Sequence, residues 1–207
     1  FNSAKMLAID SKGFIWITSY NRGVNRFDPR TGNNTRFDDP NFDFGATNIK
    51  CIYIDGDDIV WVGTRGNGLY SFDPSKNKFE QYGYNGGGTG TNTMIVCDII
   101  PDGDRYLLLG TDQGGINRFD KESKTFEYIE YSQTSPQGLN NNGIWCLFKD
   151  REDILWVGTS AGGVNYHNPK RDKFNHFTNK GFVNSLSYNS ILCFYEDHEG
   201  MIWIGTD

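Results

Sequence analysis

The sequence predicts an all-β chain of repeated four-stranded sheets, and three observations carry that prediction. A short segment built on Trp recurs five times: Ile15-Trp16-Ile17-Thr18-Ser19, Val60-Trp61-Val62-Gly63-Thr64, Leu107-Leu108-Leu109-Gly110-Thr111, Leu155-Trp156-Val157-Gly158-Thr159 and Ile202-Trp203-Ile204-Gly205-Thr206. With Trp16, Trp61, Leu108, Trp156 and Trp203 taken as equivalent, the intervals are 45, 47, 48 and 47 residues, the length of a four-stranded propeller blade. Composition agrees: 25 Gly, 6 Pro and 15% aromatic residues in 207 suit short strands joined by tight turns. No stretch shows helical periodicity of useful length. The expected fold is an incomplete β-propeller, four blades of four antiparallel strands plus half of a fifth, at approximately 4–37, 46–82, 93–129, 142–177 and 189–207.

Each unit reads as four strands in order. The first is a buried run such as Ile49 to Ile54, closed by an Asp-containing turn. The second carries the Trp, and the Gly and Thr after it are expected to let the chain turn sharply. The third follows a Gly, as in Gly68-Leu69-Tyr70-Ser71-Phe72-Asp73. A polar turn then leads to a short fourth strand, as in Phe79-Glu80-Gln81-Tyr82, whose last slot holds Phe37, Tyr82, Ile129 and Phe177. Asn34 stands where Phe79, Phe126 and Phe174 stand, which predicts an irregular outer strand in the first unit. A single blade is apolar on both faces, so neighbours must stack.

Cys51, Cys97, Cys146 and Cys193 occur once per unit, ten residues before each Trp or eleven in the third unit. The extra residue is assigned to the region of Pro101, and Met6 fills the slot in the first unit. One Cys per blade at an equivalent place reads as a small core residue. Equivalent positions on adjacent blades lie too far apart for a disulfide, and no CxxC or paired-His spacing marks a metal site.

The net charge of −6 and scattered Lys and Arg exclude a nucleic-acid surface, which needs clustered cations. No apolar run approaches the roughly 20 residues of a membrane span, so no membrane contact by this segment is expected. The chain enters a strand directly after Phe1-Asn2-Ser3 with no signal peptide visible, as expected of a mature or excised piece. An arc stopping after the fifth Trp strand is expected to leave edges open, favouring self-association or disorder at its ends.

With the repeat laid out as Asp-x-x-Gly-x-Ile-Trp-Ile-Gly-Thr, then Gly-Gly-Val-Asn-Arg-Phe-Asp-Pro, then Phe-x-x-Tyr, the chain resembles the two-component-regulator propeller repeat. Asp197 to Thr206 is a close match, as is the lead-in Asn184-Ser185-Leu186-Ser187-Tyr188-Asn189-Ser190-Ile191. The resemblance implies the periplasmic sensor region of bacterial hybrid two-component histidine kinases, many of which detect oligosaccharides and switch on carbohydrate-utilisation genes. The rest of that sensor protein is then the implied partner. No kinase motif occurs here, so phosphotransfer belongs to the implied full-length protein.

If the first strand of each blade is innermost, the Asp turns (Asp10, Asp55, Asp102, Asp150, Asp197) share one rim, and their chemistry is self-capping of the turn. The opposite rim varies more, and variable loops on a rigid scaffold are where binding concentrates. A sugar site needs an aromatic face with amide and charged groups. Tyr20, Arg22, Arg65, Asn67, Asp112, Gln113 and Trp145 supply those types on that rim. Trp145 is also read as inter-blade packing, in the slot of Lys5, Lys50, Val96 and Leu192. Three function classes stay open: a ligand sensor, an interaction or dimerisation scaffold, and a propeller glycosidase or lyase. No catalytic residue, metal or cofactor is assigned. His167, His176 and His198 fall in a core slot, an outer strand and a turn.

Overall fold

The computed structural model describes residues 4–19, 23–37, 48–85, 88–135, 138–170 and 173–207. They form four antiparallel four-stranded sheets and one two-stranded sheet, each in simple sequential order. The first sheet holds β1 (Ala4–Ile9), β2 (Ile15–Ser19), β3 (Val24–Phe27) and β4 (Asn34–Phe37). The second holds β5 (Asn48–Ile54), β6 (Val60–Arg65), β7 (Leu69–Asp73) and β8 (Lys78–Tyr82). β9 (Val96–Asp102), β10 (Tyr106–Thr111), β11 (Ile116–Asp120) and β12 (Phe126–Ile129) make the third. β13 (Ile144–Lys149), β14 (Leu155–Thr159), β15 (Val164–His167) and β16 (Phe174–Phe177) make the fourth, and β17 (Ile191–Glu196) and β18 (Ile202–Thr206) the fifth. The first strands β1, β5, β9, β13 and β17 neighbour one another in that order. The sheets therefore fan out as blades from a row of inner strands.

The Asp and Trp of each repeat are one device. In the Asp10 turn one carboxylate oxygen accepts the Lys12 and Phe14 backbone N–H groups, while the other accepts the Trp16 indole N–H at 2.8 Å. Asp55–Trp61 (2.9 Å), Asp150–Trp156 (2.7 Å) and Asp197–Trp203 (2.7 Å) repeat it. This ties the turn to the strand that follows and satisfies an indole N–H that would otherwise be buried without a partner. The third blade has Leu108 in place of Trp, and its Asp102 instead accepts from Arg118 (2.8 Å) and Lys149 (2.7 Å).

The Gly of the Trp strand has a packing role, not the turning role expected of it. Gly63 pairs with Cys51 inside the sheet. A methyl group there would collide with the Cys51 sulfur and sit 2.8 Å from Val96 Cγ1 of the next blade. Gly158 stands in the same relation to Cys146 and Ile191. The turn is closed by the Thr that follows: the hydroxyls of Thr64, Thr111 and Thr159 donate to the Gly68, Gly115 and Gly163 carbonyls at 2.7–2.8 Å.

Two further expectations are corrected. β4 is regular, with Val24 opposite Phe37 and Phe27 opposite Asn34. Phe79 and Phe126 use that slot to cover the aromatic rings between sheets, whereas Asn34 is exposed, so backbone pairing there does not depend on an aromatic. The third blade has no extra residue near Pro101. Ile100 opposes Leu108 as Tyr53 opposes Trp61, and Asp98, not Cys97, opposes the strand Gly. Asp98 thus holds the slot of Cys51 and Cys146, and accepts the Leu147 N–H of the next inner strand at 2.8 Å. Burial pushes its carboxyl above the usual carboxylate range.

All four cysteines are free thiols. Cys51 and Cys146 are buried, their sulfurs 3.9 and 3.7 Å from the Val96 and Ile191 carbonyl oxygens of the following inner strands. Cys193 is exposed, since no described sheet lies beyond β17 and β18.

Candidate functional site

Every inner strand carries a β-bulge at one place, opposite the Gly-Thr (or Thr-Ser) end of the second strand. Ile49 opposes Thr64 and Cys51 opposes Gly63, which leaves Lys50 as the extra residue. The same irregularity isolates Lys5 in β1, Cys97 in β9, Trp145 in β13 and Leu192 in β17. A bulge re-aims the side chain of its unpaired residue. All five of these side chains line one cavity of about 430 Å³ beside the row of inner strands, together with Arg65, Ile95 and Asp112.

The walls are held by backbone bonds from the crossing that enters the third blade. Ile95 bridges to Arg65, and its carbonyl accepts the Asp112 N–H at 3.1 Å. The Met94 carbonyl accepts the Gly66 N–H at 2.8 Å. Reciprocal amide bonds fasten the crossings themselves: Asn117 Nδ2 donates to Asn92 Oδ1 at 2.8 Å, and Asn165 Nδ2 to Asn140 Oδ1 at 2.9 Å. The cavity is therefore lined mainly by strand residues, with Ile95 and Asp112 beside them tied to each other by a backbone bond.

Three cations reach the cavity, Lys5, Lys50 and Arg65, against one carboxylate, Asp112. Among the described residues none of these three cations forms an ion pair; Lys5 Nζ donates to Asn48 Oδ1 at 2.8 Å. Burial, then repulsion from Lys50 and Arg65, holds the Lys5 ammonium below the usual lysine range. Burial pushes the Cys97 thiol up to about 11, so it stays protonated near neutrality and is no nucleophile. A glycosidase needs two carboxylates facing each other across the substrate; the lining supplies Asp112 alone. The arrangement suits binding.

A second cavity of about 480 Å³ lies on the rim of the Asp turns, between the second and third blades. Most of its charges are already engaged within the protein: Lys121 with Asp55, Lys76 with Asp73, Lys78 with Glu80, Arg105 with Glu122, and Lys124 over the Trp61 and Tyr82 rings. A ligand there would have to displace those partners, which makes it the poorer site.

Of the residues singled out from the sequence, Arg65, Asp112 and Trp145 come together in the first cavity. Asn67 and Gln113 stay at the tips of adjoining turns. The Asn67 N–H donates to Thr64 Oγ1, and Gln113 is an exposed residue with φ of 71°. Tyr20 and Arg22 lie outside the described residues. Lys5, Lys50 and Cys97 were not singled out, although the slot shared by Lys5, Lys50 and Trp145 was the signal that could have found the two lysines. The histidines stay apart: His176 meets the Gly138 carbonyl, and His167 packs on Phe174.

The pattern described as the two component regulator propeller matches residues 43–66, 138–161 and 185–207. Those stretches hold the lead-in, the inner strand and the Trp strand of three blades. Three of the five sheets therefore carry a two-component-regulator propeller repeat. The matched repeats combine the Asp–Trp bond with the Cys–Gly contact, whereas the third blade, with Leu108 and Asp98, is not matched.

Solved structures share the propeller fold. The extracellular domain assigned to a hybrid two component system of B. thetaiotaomicron is 22% identical, with a TM-score of 0.78, over 99% of this chain and 27% of that one. PorZ, a surface component of the type-IX secretion system of Porphyromonas gingivalis, is 19% identical, with a TM-score of 0.76, over 98% and 31%. Virginiamycin B lyase from Staphylococcus aureus is 16% identical, with a TM-score of 0.66, over 98% and 69%. The propeller segment thus spans about a quarter to a third of the first two. No curated protein sequence matches it. No helix among the described residues is long and apolar enough to cross a membrane.

Proposed function

We propose that this propeller segment is the ligand-sensing part of the periplasmic region of a hybrid two-component sensor histidine kinase. It detects oligosaccharides through the cavity beside the inner strands, and the full-length protein passes the signal by phosphorelay to carbohydrate-utilisation genes. The observation that carries the reading is the convergence of five bulge residues, one from each blade, on one cavity that holds an indole, three cations and a carboxylate. An indole face covers the apolar side of a sugar ring while charged groups bond its hydroxyls. The repeat type and the fold of the B. thetaiotaomicron extracellular domain support the cellular setting. Calorimetric titration with a panel of oligosaccharides tests the reading. At least one member is expected to bind, with affinity falling about tenfold or more in Trp145→Ala. No heat from any member with folded protein would overturn it.

A further inference from the structure

We infer that the cavity takes an acidic saccharide, whose carboxylate or sulfate sits among Lys5, Lys50 and Arg65 while a sugar ring lies on Trp145. The inference rests on the sensor reading and names its ligand class. Three cations gathered around a shared concavity repel one another. Proteins answer such crowding with a carboxylate, as Lys121 answers with Asp55 and Lys149 with Asp102 elsewhere in this chain. Here Asp112 is the sole acid in the lining, and among the described residues it forms no ion pair with any of the three. The cluster keeps an unmet positive charge; the Lys5 ammonium is held below the usual lysine range first by burial and then by repulsion from Lys50 and Arg65.

The whole chain carries a net charge of −6, so the cluster runs against the general field of the protein. Attraction of an anion to this place is local and cannot follow from non-specific basicity. An anionic ligand would relieve the repulsion with charge-assisted hydrogen bonds, in which an Arg fork fits a carboxylate or a sulfate edge. The indole beside it adds an apolar platform for the ring that bears the acid. Cys97, also in the lining, stays a neutral thiol and contributes no competing negative charge.

The test compares matched probes on the intact chain by calorimetry: tetragalacturonate, its fully methyl-esterified form, a sulfated galactan tetrasaccharide and its desulfated form. One or both acidic probes are expected to bind at least about tenfold tighter than their neutral counterparts, with affinity falling as salt is raised. In Lys50→Met, and separately in Arg65→Gln, each confirmed as folded by circular dichroism, that preference for the acidic over the neutral probe should shrink about tenfold. The carboxylate and sulfate arms separate the two sources of the charge. Equal binding of neutral and acidic probes would overturn this inference and leave the sensor reading standing. Failure of every probe here and of every sugar in the wider panel would overturn both.

Discussion

The interface between the second and third blades and that between the fourth and fifth are built from the same repeat, yet they are packed differently. At the first, Trp61 is 2% exposed. It meets Tyr82 of its own blade at 6.2 Å and Phe119 of the next at 5.5 Å, and Phe126 closes the cluster 4.7 Å from Phe119. At the second, Trp156 stacks on Tyr166 at 5.4 Å, and among the described residues the one aromatic ring that faces it from the fifth blade is Phe194, 6.4 Å away. A cleft of about 370 Å³ opens there between Trp156, Phe177, Ile202 and Ile204. One blade further, Trp203 is 63% exposed although its bond to Asp197 is intact at 2.7 Å. The Asp–Trp turn therefore forms without cover, and the apolar core belongs to the interface. The cover comes from the third and fourth strands of the following sheet, as Phe119 of β11 and Phe126 of β12 show.

The largest expected effect follows from removing the same residue at both places. Trp61→Ala should cost about 3–5 kcal/mol in denaturant unfolding. Trp203→Ala should cost less than about 1 kcal/mol, because little apolar contact is lost. Equal costs would break the claim that stability resides between blades.

Smaller, but sharper in cause, is the glycine pair. Gly63→Ala drives a methyl into the Cys51 sulfur with Val96 behind it, and should cost about 1–3 kcal/mol. At Gly205 the near atom is Cys193 Sγ at 2.6 Å, and that cysteine is exposed and free to rotate. Gly205→Ala should leave the melting temperature nearly unchanged, and a large drop there would make the clash a property of the strand alone.

The smallest effect concerns acid. The Trp203 indole N–H, then backbone N–H donors, hold the Asp197 carboxyl below the usual carboxylate range. Its contribution is present above the unfolded-state value of about 3.9 and is lost as pH falls through the lower folded value. In Asp197→Asn, hydrogen exchange of β17 and β18 should speed up at neutral pH and converge with the parent protein in acid. A difference that persists unchanged in acid would remove the carboxylate from the explanation.

Much of this was legible from residue order. Trp spacing, the Asp turns and the Gly that opens each third strand recur because each blade must close the same hairpins, so strand order followed from them. The bulge was not legible. Lys50 and Cys51 are simply neighbours in a run of six, and nothing local says which of them leaves the ladder. The third blade misled for the same reason, since counting back from Leu108 reveals a one-residue shift without locating it, and only the pairing of Asp98 with Gly110 does. Trp145 stood out because an indole is odd in its slot, whereas Lys5 and Lys50 looked like ordinary surface lysines.

Amino-acid order alone settled the blade, because turn chemistry and period-two alternation act over a few residues and repeat whenever those residues repeat. Which side chains meet was settled by packing between blades, where the bulge re-aims one residue of each inner strand and five of them converge on a cavity. Those contacts join residues some 45 positions apart, through geometry that no local pattern encodes.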